Sequence, residues 1–414
     1  MTRSVIIGTG PAGITAAETF RRLDPNGSVT ALTLEPFPPY SPAAMADHFL
    51  TGRTNTLYWK GPDITERLGI DERREAPVVA IDTDNREVLL AEGTRVAYET
   101  LVIASGSRLH APIDGAELPG VLDFKSLRKA EALVTRVRNG EARHALIVGH
   151  GFIGVELALM LTELGVEVTI VGRRPWIMPR VLDRPTSDVA RQALEGRGIE
   201  LRLGTPAEAF VETPTGTAVR LAGGETLHAD MVVAATGVKP HIEFIRGSEI
   251  TTEWGIHVDD HLRTNVPHVY AAGDVAEAAD WLTGERYVHA IFPNAVAQAK
   301  IAAANALGAD ITYDGAESMN SLKHLGVPIV AMGSTEGADD VLHTERGNER
   351  RSVYLRSGRI IGVQLAGDIT AAGVYHSLML KGTDVRQYGA ELAAPSFGYI
   401  TIVATALAPS MIAV

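Results

Sequence analysis

The sequence predicts an α/β fold in which one strand, glycine turn, helix and strand unit occurs twice, ahead of a C-terminal segment of different character. An apolar run over 5–7 enters SVIIGTGPAG, with Gly8, Gly10 and Gly13, and is followed by helical spacing of apolar residues over 14–23 and a second buried run over 29–34. The same order returns from 145, in ALIVGHGFIGVE with Gly149, Gly151 and Gly154, then a helix over 152–164 and a strand over 166–171. From about 314 the pattern changes: 352–355 and 360–365 read as a hairpin around Ser357 and Gly358, and 370–381 reads as a helix.

The remaining segments fit around these two units. Runs over 78–81 and 87–90 flank Thr83, Asp84 and Asn85, which is turn chemistry. A buried strand over 98–104 ends at Ser105 and Gly106, and the Pro/Gly-rich stretch 112–120 reads as a linker. A helix over 127–137 precedes the second unit, and strands over 199–203, 218–221 and 231–235 follow it. A junction lies at Thr236 and Gly237, a strand over 268–271 ends near Gly273 and Asp274, and an alanine-rich helix covers 293–307. The expected organisation is one dinucleotide-binding domain over 1–110 and 236–313, a second inserted over 111–235, and a small α+β interface domain over 314–414. The fold class is thus two Rossmann-like domains, one inserted in the other, plus that C-terminal domain.

Composition narrows the function. With 45% hydrophobic and 21% charged residues, the 414-residue chain has the balance of a globular protein. A net charge of −12 argues against a nucleic-acid partner. No uninterrupted apolar run reaches the roughly 18 residues of a membrane span. The tail over 399–414 comes closest but carries Thr401, Thr405, Pro409 and Ser410. No membrane partner and a cytoplasmic residence are expected. The chain has no cysteine, which excludes a redox disulfide, a cysteine-ligated cluster and a thiol nucleophile. Its 13 histidines show no metal-ligand spacing, so no metal is expected; His150 and His324, like Lys323, are weak candidates for a cofactor contact.

Each glycine turn suits a pyrophosphate. The backbone approaches the phosphates at a helix N-terminus, where unpaired N–H groups and the helix dipole favour negative charge. Glu35, at the end of the strand after the first turn, is expected to accept hydrogen bonds from ribose hydroxyls; the alternative is a solvated strand-end charge. The strand after the second turn ends VTIVGRRP. A dinucleotide without a 2′-phosphate usually meets Asp or Glu there. Here Gly172 is followed by Arg173 and Arg174, and two guanidiniums without a carboxylate suit a 2′-phosphate. The alternative is that both are solvated surface residues.

Three further segments carry a family resemblance: LVIASG ending at Gly106, VVAATGVKP ending at Pro240, and YAAGDV ending at Val275. With the two turns, in this order, the chain resembles the two-dinucleotide flavoprotein superfamily of pyridine-nucleotide oxidoreductases. It is similar within it to ferredoxin and rubredoxin reductases and to the flavin part of NADH-dependent nitrite reductase. The resemblance implies FAD, held by Gly8, Gly10, Pro11, Ala12, Gly13, Glu35, Val79, Ala104, Ser105, Gly106, Gly273 and Asp274, with Pro293, Asn294 and Ala295 opening a helix toward the flavin. It implies NAD(P), with a lean to NADP, on Gly149, Gly151, Phe152, Ile153, Gly154, Arg173, Arg174 and Gly237, and a positioning role for Glu156. One departure stands out: where similar reductases read Arg-Pro-Pro-Leu-Ser-Lys, this chain reads Ser41 to Ala46, so Ala46 replaces a lysine beside the flavin.

Hydride transfer between these cofactors needs stacking and orientation rather than a protein acid or base, so the electron partner decides the function. The expected partner is an iron–sulfur protein or the subunits of a larger redox enzyme. The alternatives are a direct reductase or oxidase of a small molecule, and a flavin-bound signalling or structural protein. Arg346, Arg350, Arg351, Arg356 and Arg359 offer a basic patch against an acidic partner, or a solvated hairpin beside Glu345 and Glu349. The apolar tail from 399 is expected either to dock on a partner or on a second copy, which would give a homo-oligomer, or to pack on its own C-terminal domain as a last strand.

Overall fold

The computed structural model describes residues 2–214, 216–322 and 324–398; Lys323 and the apolar tail over 399–414 lie outside the described residues. Val5, Ile6 and Ile7 are buried in succession, as are Ala145 to Val148, the mark of central strands covered on both faces. Around each of these runs a parallel sheet forms. In the first, the order is Val269–Ala271, Thr100–Ile103, Arg3–Ile7, Ser28–Leu32 and Asp71–Arg73. In the second, Glu200–Leu203, Glu167–Gly172, His144–Val148 and Met231–Ala234 run parallel, with Val121–Leu122 at the edge. These are the α/β layers expected of two Rossmann-like units.

The chain separates into two compact units. One comprises Met1–Pro112, Leu122–Glu141 and Thr236–Glu317. The other comprises Ile113–Val121, Ala142–Ala235 and the segment from Ser318 onward. Two segments cluster differently from the sequence-based division. The helix Leu127–Arg138 belongs with the first unit. Its Leu127 N–H donates to Tyr40 Oη at 3.0 Å, Arg128 pairs with Glu75 at 3.0 Å, and Phe124 just ahead of it packs edge-on against Phe49 at 6.2 Å. The C-terminal segment clusters with the second nucleotide segment: Tyr354 Oη donates to Asp183 at 2.6 Å, and Gln364 Nε2 to Val181 O at 2.8 Å.

That C-terminal segment is a five-stranded antiparallel sheet in the order Met319–Leu322, Ile329–Gly333, Arg359–Ala366, Glu349–Arg356 and Asp340–Arg346. The helix Ala372–Leu380 packs on Arg359–Ala366, burying Tyr375, Leu378 and Met379. The hairpin and helix read from the sequence are both present here.

The two glycine turns repeat each other bond for bond. Gly8 N–H donates to Leu32 O at 2.7 Å and Gly149 N–H to Val171 O at 2.9 Å. The first helical bonds, Ile14 to Gly10 and Val155 to Gly151, are both 3.0 Å. The third glycine of each turn is sterically required. A Cβ on Gly13 would lie 1.8 Å from Gly8 O, and one on Gly154 would lie 2.1 Å from Gly149 O. Gly10 and Gly151, by contrast, have nothing within 4 Å of a Cβ. The substitution Gly13→Ala must push helix from strand and should destabilise the first unit by about 2 kcal/mol or more. Gly10→Ala should change stability by under about 1 kcal/mol. Thermal melting of the two flavin-free variants side by side checks the contrast, and equal midpoints would refute it.

Candidate functional site

The first turn is built for an anion. The helix Pro11–Leu23 starts at Gly10 with no side-chain cap and no acidic residue in its first turn. Pro11 at the first helical position has no N–H to satisfy, and the N–H groups that follow point outward unpaired. Above Gly10 there is open space where a Cβ would sit. An uncapped helix end beside a vacated Cβ position is what a pyrophosphate needs. Ala12 and Gly13 are buried behind the turn, and Gly8, at φ +102°, would place a Cβ 2.2 Å from Ala104 O.

Two carboxylates flank this turn's sheet, each already oriented. Glu35 Oε2 accepts from Tyr40 Oη, and its Oε1 accepts weakly from Arg128 N at 3.4 Å. Burial and the neighbouring Glu35 carboxylate push the Tyr40 hydroxyl well above its ordinary range, so it stays a donor. Asp274 follows Gly273, whose φ of +79° turns the chain. Its Oδ2 accepts from Ser107 Oγ and lies 3.3 Å from Lys125 Nζ. Its Oδ1 has no partner among the described residues and is open to a ligand hydroxyl. Lys125, Ser107 and Tyr40 are the residues sequence reasoning missed. Lys125 stands alone in DFKSL without a motif, and only the fold brings it to Asp274.

The other expected flavin residues sort by what they offer. Val79 is exposed at a bulge between Val78 and Ala80, which leaves its backbone out of the ladder. Ser105 has committed its hydroxyl to His241 O at 2.7 Å, beside Gly106 at φ +72°. The helix Phe292–Ala306 begins uncapped, with Pro293 in its first turn and no acid there. Buried Asn294 spends its side chain on Glu317, donating to its carbonyl at 2.9 Å and accepting from its N–H at 3.1 Å. What this helix end presents is therefore backbone N–H, next to buried Ala295. Ala46, the departure from the lysine pattern, is buried in the helix Met45–Thr51. These residues fit FAD.

The second turn has the same form. The helix Phe152–Glu163 is uncapped at Gly151 and has no acid in its first turn; Ile153 is exposed at its start, and Phe152 and Glu156 are half-buried. Arg173 and Arg174 are exposed, and neither has an ion-pair partner among the described residues. Within the turn, the imidazole of His150 is pushed down to about 4 by burial and by Arg173 and Arg174. These residues fit a nicotinamide dinucleotide. Gly237, expected with this set, belongs to the first unit, at φ +142° with its carbonyl accepting from His110 N at 2.9 Å.

Among the described residues one group, Glu253, His257 and Glu277, has ligand-like spacing. Buried Glu277 already accepts from Gly255 N and lies 2.9 Å from His257 Nε2, so contacts within the fold account for the group. No described helix is long and apolar enough to cross a membrane.

Comparison with known proteins gives the family. The pyridine nucleotide-disulphide oxidoreductase family model matches residues 2–306. The epsilon subunit of an NADH-dependent phenylglyoxylate dehydrogenase from Aromatoleum evansii is 28% identical over 396 residues, spanning 93% of each chain. An NADH oxidase from Methanocaldococcus jannaschii is 27% identical over 394 residues, 88% of this chain and 87% of that one. The crystal structure of a ferredoxin reductase from Rhodopseudomonas palustris superposes with a TM-score of 0.84 at 29% identity, covering 93% of this chain and 96% of its own. The chain therefore belongs to the pyridine nucleotide-disulphide oxidoreductase family, as an FAD-dependent NAD(P)H oxidoreductase that carries no redox disulfide.

Proposed function

We propose that this protein exchanges a hydride with NADP or NAD and passes electrons to or from an iron–sulfur protein or a partner subunit of a larger redox enzyme. The observation that carries the reading is the pairing of two complete, uncapped glycine turns with a chain that has no cysteine. FAD, when bound, converts a hydride into single electrons, and without a thiol those electrons leave the chain. The chain's own residues bind and orient: Gly10 and Gly151 give the pyrophosphates access, while Glu35 and Asp274 take hydroxyls from fixed orientations.

Charge favours a lasting complex over brief encounters with a small acidic carrier. The net charge is −12, and the C-terminal arginines are largely spent. Arg350 pairs with Glu345 at 2.8 Å, buried Arg351 with Asp368 at 3.1 Å, and Arg356 donates to Gly337 O at 2.9 Å. The phenylglyoxylate dehydrogenase relative, named as a subunit, supports the same choice. The second reading, direct reduction of oxygen, is favoured by the NADH oxidase relative.

Three outcomes follow. Asp274→Ala removes the carboxylate that Ser107 and Lys125 hold, and should weaken FAD binding about ten- to a hundredfold, the worth of a charge-assisted hydrogen bond; the flavin-to-protein absorbance ratio reads this, and full yellow occupancy contradicts the assignment. Replacing Arg173 and Arg174 together by alanine should raise the KM for NADPH about tenfold or more while leaving NADH unchanged; an unaltered NADPH/NADH ratio makes them surface residues. Steady-state assays should show rapid NAD(P)H turnover with a one-electron dye and slow oxygen uptake. Fast oxygen consumption without any partner would instead establish the oxidase reading.

A further inference from the structure

In the second glycine turn, the residue between the first two glycines does something the motif does not require. The ring of His150 lies against Gly172 at the end of the next strand. A Cβ at 172 would lie 2.6 Å from His150 Cγ, 2.8 Å from Nδ1 and 2.7 Å from Leu203 Cδ2. Gly172 is not among the residues of positive φ, so glycine there supplies space and not backbone freedom. The end of this strand is where a carboxylate grips ribose hydroxyls in sites that take an unphosphorylated ribose. A carboxylate at 172 and an imidazole at 150 therefore exclude each other, and this chain has the imidazole.

Cations act on that ring, and one of its own nitrogens is unpartnered. Nε2 of His150 is buried without a hydrogen-bond partner, and Nε1 of Trp176 in the following loop is in the same condition. The loop is tied to the turn by Met178 N–H donating to His150 O at 2.9 Å, with Met178 at φ +52°. The charges that act on the ring are Arg173 and Arg174, both lacking a carboxylate. A buried nitrogen without a partner, beside two unpaired guanidiniums, is a set that an acceptor-rich dianion would complete.

We propose that His150 selects the nicotinamide cofactor: with Arg173 and Arg174 it receives the phosphomonoester on the adenosine ribose, and its imidazole takes up a proton from solvent as that dianion enters. The proposal rests on the reading of the two arginines as a 2′-phosphate site. In the free protein burial and the guanidiniums keep the ring neutral. A dianion opposes both effects and raises the ring's pKa, so affinity for the phosphorylated ribose gains an increment as pH falls toward the pKa of the complex. That increment is absent for a ligand without the 2′-phosphate.

The test uses the flavin-loaded protein with adenosine 2′,5′-bisphosphate and adenosine 5′-monophosphate as probes, by calorimetry in two buffers of different ionisation heat. The variants are His150→Gln, which keeps a donor near Nε2, and His150→Asn as a second should the first misfold; the 5′-monophosphate affinity and the thermal midpoint report an intact site. The phosphate's own ionisation is common to all proteins tested, so the difference between them isolates the ring. The expected result is tighter bisphosphate binding by the parent protein with proton uptake. The variants should lose that uptake and bind bisphosphate about tenfold more weakly at pH near 6, with 5′-monophosphate unchanged. Equal proton uptake in parent and variants overturns the role of His150 while leaving the arginine reading intact. A parent protein that does not prefer the bisphosphate, and is unaffected by removing Arg173 and Arg174, overturns both.

Discussion

The contact on which both nucleotide units depend is the approach of a helix to a carbonyl. Gly13 sits over Gly8 O and Gly154 over Gly149 O so closely that no side chain fits at either third glycine. That approach lays the helix directly against the strand end, and it fixes where the helix N-terminus points. The open positions at Gly10 and Gly151 follow from it, because the chain must turn sharply between strand and helix to bring the third glycine home. Helix packing and ligand access are thus one constraint.

The helix starts differ in how their first N–H groups are satisfied. Leu127–Arg138 is capped by Ser126, which accepts from Lys129 N at 3.4 Å, and Arg184–Glu195 by Asp183, which accepts from Thr186 N at 2.7 Å. The helices that begin at Pro11, Phe152 and Phe292 have neither a side-chain cap nor an acid in the first turn. A missing cap costs a helix about 1 kcal/mol. The helix Ala372–Leu380, which packs on the C-terminal sheet, lacks cap and acid as well, so an uncapped start does not by itself mark a site; under the proposed function, a phosphate or the flavin would satisfy the N–H groups at the other three.

The same logic reads the arginines. Arg351 is buried and held by Asp368, Tyr375 Oη at 3.3 Å and Ala394 O at 2.7 Å, so it ties the stretch around Ala394 to its own strand and offers nothing to a partner. Arg173 and Arg174 have no ion-pair partner among the described residues, on a chain with an excess of acids. Under the proposed function, the 2′-phosphate of the cofactor would supply the negative charge that these two guanidiniums lack.

The sequence by itself determined the repeated units, since glycine spacing between an apolar run and a helical one admits few conformations, and it determined that no thiol takes part. It also singled out Glu35 and the two glycine turns, which lie at strand ends that the βαβ pattern defines, while only the family resemblance points to Asp274. Tertiary structure alone decided what those residues touch. Lys125 reaches Asp274, and Tyr40 bridges Glu35 to Leu127, across long stretches of chain with no local pattern to announce them. It also decided that the helix Leu127–Arg138 packs with the first unit and that the C-terminal sheet belongs with the second. The seat of His150 against Gly172 is of the same kind. In the sequence one residue is a spacer in a motif and the other is a missing carboxylate; only parallel pairing of the two strands, with Gly149 N–H bonded to Val171 O, brings the imidazole into the space that the glycine leaves.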